Sequence, residues 1–217
     1  FQADMNFKLG NFQKAIDLGK AAMAKSNATE KSELNKIIGE SYFNLKDYAK
    51  ALEFLKKTEL ASGLNPQGNY ALGYCYYKSN DCSKAVQNFS KTTEAKDSLA
   101  QNAWYHMADC YIKMNEKFKA KNAFYSAYQI SFDKKLTEDA LFSFAKLSYE
   151  LDFSPYNEAV KGFTKYLKEY PQSPRKEECY TILINVYSTT KNYSQAITSI
   201  ESLENIDPIL KVTYQKL

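Results

Sequence analysis

Four cysteines and one histidine are the residues of this 217-residue chain best suited to thiol or metal chemistry, and their spacing supports neither. Cys75, Cys82, Cys110 and Cys179 lie 7, 28 and 69 residues apart, so no CxxC pair begins a zinc or redox site. His106 has no second histidine to complete a ligand set. Glu138-Asp139 and Glu177-Glu178 are the carboxylate pairs that could serve as acid and base, but each is expected in the first turn of a helix. The helix dipole already accounts for carboxylates there. The glycines form neither GxGxxG nor a phosphate-binding loop. The expectation is a chain with no catalytic residue, no metal and no cofactor.

Charge narrows the partners. There are 29 basic and 25 acidic residues, giving +4 overall. Residues 1–108 carry 14 basic and 11 acidic side chains, and residues 109–217 carry 15 and 14, so there is neither a basic arm nor an acidic tail. Arg175 is the one arginine, whereas bidentate phosphate and base contacts favour guanidinium. No nucleic-acid partner is therefore expected. No apolar run reaches the roughly 18 residues of a membrane span. Eighteen tyrosines and thirteen phenylalanines are many for this length and need regular places to pack.

Those places come from a repeat. An aromatic or its substitute precedes an alanine by three residues, and a bulky residue follows it by four. The series is Phe12/Ala15, Tyr48/Ala51/Leu55, Cys82/Ala85/Phe89, Ala120/Phe124, Tyr156/Ala159/Phe163 and Tyr193/Ala196/Ile200. The alanines are 36, 34, 35, 39 and 37 residues apart. Upstream lies a second pattern: Ile38-Gly39-x-x-Tyr42, Leu72-Gly73-x-x-Tyr76, Met107-Ala108-x-x-Tyr111 and Leu183-Ile184-x-x-Tyr187. Spacings of three and four put each set on one helix face. Two helices per period of ~35 residues make a helical hairpin that cannot bury its apolar face alone, so neighbouring hairpins must stack. Cys75 and Cys110 recur one residue before Tyr76 and Tyr111, as a small buried hydrophobe would. A Cys75–Cys82 disulfide is the lesser alternative, favoured by export.

The pattern resembles the tetratricopeptide repeat, W-x2-L-G-x2-Y…A-x3-F…P. Trp104-x-x-Met107-Ala108-x-x-Tyr111 followed by Ala120-x-x-x-Phe124 and Ala127 carries it most fully. The resemblance implies an all-α right-handed solenoid of about six antiparallel hairpins, a single array over 1–217. Its units are expected at about 1–25, 30–60, 66–96, 98–131, 137–170 and 174–205, with a partial seventh at 208–217. Asn65-Pro66, Ser173-Pro174 and Asp207-Pro208 read as helix caps followed by proline, with further caps at Thr29-Glu30 and Thr137-Glu138-Asp139. Extra residues are expected around Asp152–Pro155. A second likeness, over Phe163 to Pro174, is to junctions in bacterial envelope repeat proteins, which places the chain in the periplasm or against the outer membrane ahead of the cytoplasm.

In the tetratricopeptide family the first helices line a concave groove. By resemblance, that groove falls on Lys36, Glu40, Phe43 and Asn44, then Tyr70, Tyr74, Tyr77 and Lys78. It continues on Tyr105, Asp109, Ile112 and Lys113, and on Phe142, Lys146 and Tyr149. Rings flanked by lysines suit a protein or peptide ligand: rings give stiff contact area and lysines receive carboxylates. The carboxylate clamp of some family members does not fit, because Lys36 is followed by Glu40 where an amide belongs. The expected function is an interaction scaffold and not an enzyme. A structural spacer or oligomerisation segment of a larger envelope or sensor protein, or an accessory array to a catalytic domain elsewhere, are the alternatives. Both ends read as cut inside the array, so weak self-association through Leu210, Tyr214 and Leu217, and through Met5 and Phe7, is also expected.

Overall fold

The computed structural model of the protein describes residues 1–151 and 158–190. These residues form eleven α-helices, and among them there is no strand. Contacts divide the chain into two compact units, Phe1–Asn115 and Glu116–Leu217. Unit 1 holds α1 (Gln2–Lys8), α2 (Phe12–Met23), α3 (Ala28–Asn44), α4 (Tyr48–Ser62), α5 (Pro66–Lys78), α6 (Cys82–Ser90) and α7 (Ser98–Lys113). Unit 2 holds α8 (Lys117–Ile130), α9 (Lys134–Leu151), α10 (Glu158–Glu169) and α11 (Lys176–Thr190). Expectations that fall on Asp152–Pro155, Tyr156, the helix around Tyr193, Ala196 and Ile200, and everything from Asp207 onward lie outside the described residues.

In unit 1 every helix packs on the next, and α1 also touches α3, α3 touches α5, and α5 touches α7. The odd-numbered helices therefore form one layer. In unit 2, α8 packs on α9, α9 on α10 and α10 on α11. The small residues of the repeat sit where helices cross: Ala15, Ala51, Ala85, Ala120 and Ala159 are each 0% exposed. Close approach explains two glycines. A Cβ on Gly39 would lie 2.8 Å from Leu55 Cγ and 3.1 Å from the Leu55 backbone nitrogen, and one on Gly73 would lie 3.0 Å from the Phe89 ring. Leu55, Phe89 and Phe163 fill the space beside the alanines and are fully buried.

The turns repeat as well. Gly10, Lys46, Asn80 and Asn115 all have left-handed backbones, φ between 59° and 77°, and follow one another at 36, 34 and 35 residues. After each of the first three, a backbone N–H reaches back five residues: Asn11 to Asn6, Asp47 to Tyr42 and Asp81 to Tyr76, each at 2.9 Å. This closes the first helix in a Schellman-type turn. Asp47 and Asp81 then cap the second helix, accepting from the backbone N–H of Lys50 and Lys84.

Asn65 caps α5 with Pro66 in the first turn. Three other starts differ from the sequence expectation. Asn27, not Thr29, caps α3, in a reciprocal capping box with Glu30. Helix α9 begins at Lys134, one turn before Thr137, because Asp133 accepts from Leu136 N–H and Thr137 Oγ1 donates back to the Asp133 carbonyl. Helix α11 begins at Lys176, after a turn through Pro174; the Ser173 hydroxyl accepts from the Arg175 backbone N–H and also meets Tyr166 and Glu138. The carboxylates Glu138 and Asp139 are accordingly tertiary partners rather than first-turn charges: Glu138 accepts from Tyr166 and Ser173, and Asp139 pairs with Arg175.

Candidate functional site

The layer of α3, α5 and α7 decides which side chains of unit 1 meet. Tyr70, Tyr74 and Tyr77 follow one another at four and three residues, so they lie along one face of α5. Phe43 at the end of α3 stands 5.7 Å from Tyr74 and 6.5 Å from Tyr70, ring centre to ring centre. Tyr48, the first residue of α4, adds a ring 5.4 Å from Tyr74. From α7, His106 enters between them, 5.1 Å from both Tyr74 and Tyr77 and 5.7 Å from Phe89, with Tyr105 beside it. Tyr70, Tyr74, Tyr77 and Tyr105 are all half-buried, so the cluster is packed within the protein and still reaches the surface.

Cations sit on this aromatic surface. Lys78 Nζ is 5.1 Å from the Tyr74 ring centre and 5.6 Å from that of Tyr77, and Lys113 Nζ is 4.1 Å from Tyr77. Such contacts are worth roughly 0.5–1 kcal/mol at exposed positions. Lys113 also pairs with Asp109 at 3.2 Å, and the Tyr77 hydroxyl donates to Asp109 at 2.5 Å. Lys78, by contrast, makes no ion pair among the described residues and is exposed. Burial sets the electrostatics of the rings. It pushes the Tyr70 phenol above its ordinary range, helped by Tyr74 and Tyr48. Burial also holds His106 down to about 4, against the opposing pull of Asp109. The imidazole is therefore neutral near pH 7.

Lys36 lies apart from the rings. It lines a cleft of about 780 Å³ in unit 1 with Phe7, Lys8, Glu33, Ile37 and Glu40. Burial raises the Glu40 carboxyl, Lys36 partly offsets this, and Glu40 Oε1 is buried without a hydrogen bond among the described residues.

Unit 2 treats the same register differently. Phe142, the counterpart of Tyr70 and Tyr105, is 7% exposed and belongs to the core. It packs 6.1 Å from Phe163 and 5.4 Å from Tyr166, with the Arg175 guanidinium 4.7 Å over its ring. It therefore has no free face for a ligand. Tyr149 is half-buried against the same core. Lys146 pairs with Glu178 at 2.8 Å. The position matching Lys78 and Lys113 is Glu150, which pairs with Lys117 at 2.8 Å.

Sequence reasoning missed two members of the unit 1 cluster. His106 stands one residue off the groove register, and Tyr48 belongs to a second helix. The signal for Tyr48 was its place directly after the turn that follows Phe43. No group of three or more metal-ligating side chains comes together among the described residues, and none of their helices is long and apolar enough to cross a membrane.

Family models described as tetratricopeptide repeat match residues 37–57 and residues 102–129. These segments hold the Gly39/Ala51 and Trp104/Phe124 signatures, and α3 and α4 of the first pack on each other as that repeat requires. The chain carries tetratricopeptide repeats at these two places. Its fold is shared with solved structures of such proteins. A crystal structure of MamA superposes with a TM-score of 0.62 at 21% identity, covering 79% of this chain and 96% of MamA. A structure of YrrB, described as a TPR protein with an unusual peptide-binding site, superposes with a TM-score of 0.63 at 15% identity, covering 78% of this chain and 84% of YrrB. No curated protein sequence matches the chain. At these identities the tetratricopeptide fold is what the structures share.

Proposed function

We propose that the protein is an interaction scaffold, not an enzyme, and that it receives a protein or peptide segment against the tyrosine-lined layer of unit 1. The observation that carries this reading is the half-buried ring cluster of Phe43, Tyr70, Tyr74, Tyr77 and Tyr105, topped by Lys78 and Lys113. Half-buried rings offer contact area that loses little side-chain freedom on binding, and an exposed lysine beside them can receive a carboxylate. The peptide-binding site named for YrrB supports the class of partner. The groups that could do chemistry have structural occupations instead: Glu138 and Asp139 hold Tyr166 and Arg175, and all four cysteines are buried.

Tyr74 touches Phe43, Tyr48, Tyr70, Tyr77 and His106, so its removal would disturb folding as well as binding. The sharper variants are Tyr105→Ala and Lys78→Glu. Peptides selected from a random display library on the wild-type protein should bind each variant about tenfold more weakly, roughly 1.4 kcal/mol. The melting temperature should stay near that of the parent. Equal binding by both variants would remove unit 1's ring face as the site.

A further inference from the structure

The four cysteines are not alike. Cys75 and Cys179 are buried within helices, and burial pushes both thiols up to about 12. Cys82 and Cys110 instead stand close together: α6 packs on α7, and Lys113 and Met114, one helical turn beyond Cys110, line the same cavity wall as Cys82. Cys82 also helps hold the Cys110 thiol above its ordinary range, after burial. Cys110 is 0% exposed in the last turn of α7. Cys82 is the first residue of α6, directly after the turn made by Ser79, left-handed Asn80 and Asp81. A second observation concerns access. A surface cavity of about 510 Å³ opens onto Cys82, lined also by Ser79, Asp81, Lys113 and Met114. Cys82, though 7% exposed, thus borders the cavity with a lysine in the same wall, while Cys110 is 0% exposed on the neighbouring helix.

We propose that Cys82 and Cys110 form a redox modification site, in which a low-molecular-weight disulfide enters the cavity and leaves a Cys82–Cys110 cross-link between α6 and α7. The Cys82 thiol loses its proton, and its sulfur attacks one sulfur of the entering RS–SR. A Cys82–SR bond forms, the RS–SR bond breaks, and the first RS⁻ leaves to take up a proton. The Cys110 sulfur, deprotonated in turn, attacks Cys82 Sγ, forms the internal disulfide and expels the second RS⁻. Two protein thiols are oxidised by two electrons, one RS–SR is reduced to two RSH, and the two thiol protons end on the products. The thiolate-forming step is slow for a fully buried cysteine such as Cys110, which fits first attack by Cys82, the one that borders the cavity. Closing the bond requires the two sulfurs to move to bonding distance. Cys82 can supply that shift because it starts its helix beside a turn, whereas Cys110 is held on both sides by α7. The cross-link closes a loop that spans two successive hairpins, and loops of that length restrict the unfolded chain.

The test incubates the purified chain with excess 2-hydroxyethyl disulfide, quenches by acid, and counts free thiols after denaturation. A digest without reductant is then mapped by mass spectrometry. Of the four thiols two should disappear, in a peptide pair joining Cys82 to Cys110. The oxidised protein should melt several degrees higher than the reduced one. Cys82→Ser should keep its remaining thiols, and Cys75→Ser should still lose two. Retention of all four thiols, an adduct that stops at Cys82, or a link that uses Cys75 would each overturn the proposal.

Discussion

The two units carry the same register of first-helix residues and use it in opposite ways. In unit 1 the ring positions Tyr70 and Tyr105 stay half-buried, and the ridge ends in lysines, Lys78 and Lys113, that lie against or near tyrosine faces. In unit 2 the matching ring, Phe142, is sunk between Phe163, Tyr166 and Arg175, and the ridge ends in Glu150, already paired with Lys117. A repeat fixes where a side chain stands on its helix; the neighbouring hairpin decides whether that side chain is core or surface. The difference separates a half-buried ring face that ends in the exposed Lys78 from one whose ring is core and whose end charge is paired.

The largest expected effect comes from breaking the buried member of the pair. Phe142→Ala should cost about 3–5 kcal/mol, as large-to-small changes in cores do. Tyr105→Ala should cost about 1 kcal/mol or less, as surface-facing changes usually do. Chemical denaturation of both variants checks the contrast, and similar losses would erase the distinction between the units. Next comes overpacking at a helix crossing in unit 1. Ala85 is 0% exposed, and its carbonyl lies 3.2 Å from where a Gly73 Cβ would stand, so Ala85→Leu should destabilise by about 1–3 kcal/mol.

A smaller effect distinguishes the unit 1 cluster by pH. The folded His106 is held near 4, below its ordinary 6.5, so the unfolded state binds the extra proton. The neutral ring's contribution is complete above pH 6.5 and declines as pH falls toward 4. Asp109, Lys78 and Lys113 are the charged groups facing it. Wild-type protein should therefore lose more stability than His106→Gln over this range, measured by denaturant midpoints; parallel curves would mean that His106 is not excluded from water. The smallest expected change is a gain. Lys46 holds a left-handed backbone with φ of 63° where the preceding hairpin has Gly10, so Lys46→Gly should add about 1 kcal/mol. A melting temperature at or below the parent's would show that the turn is not strained.

Much of the fold was legible in the sequence because helix periodicity is local. Ala51, Ala85 and Ala159 announced their crossings by spacing, and Gly39 and Gly73 announced the close approaches. Helix starts were less legible where a side chain had a tertiary partner: Ser173 reads as a cap before Pro174, and its hydroxyl does accept from Arg175 N–H, yet it is shared with Tyr166 and Glu138 and α11 begins only at Lys176. Of the candidate site, the ridge from Tyr70 to Lys78 could be read because its spacing lies within one helix. The burial of Phe142 could not, since it depends on α10 and on Arg175 before α11. Nor could the placing of His106, which a one-residue offset turns into the cluster of rings.

The most direct test is hydrogen exchange followed residue by residue with and without a peptide selected on the wild-type protein. Ligand on the ring face should slow exchange in residues 66–78 and 98–113 and leave 134–151 unchanged. Protection confined to residues 134–151, with α5 and α7 unaffected, would contradict the account.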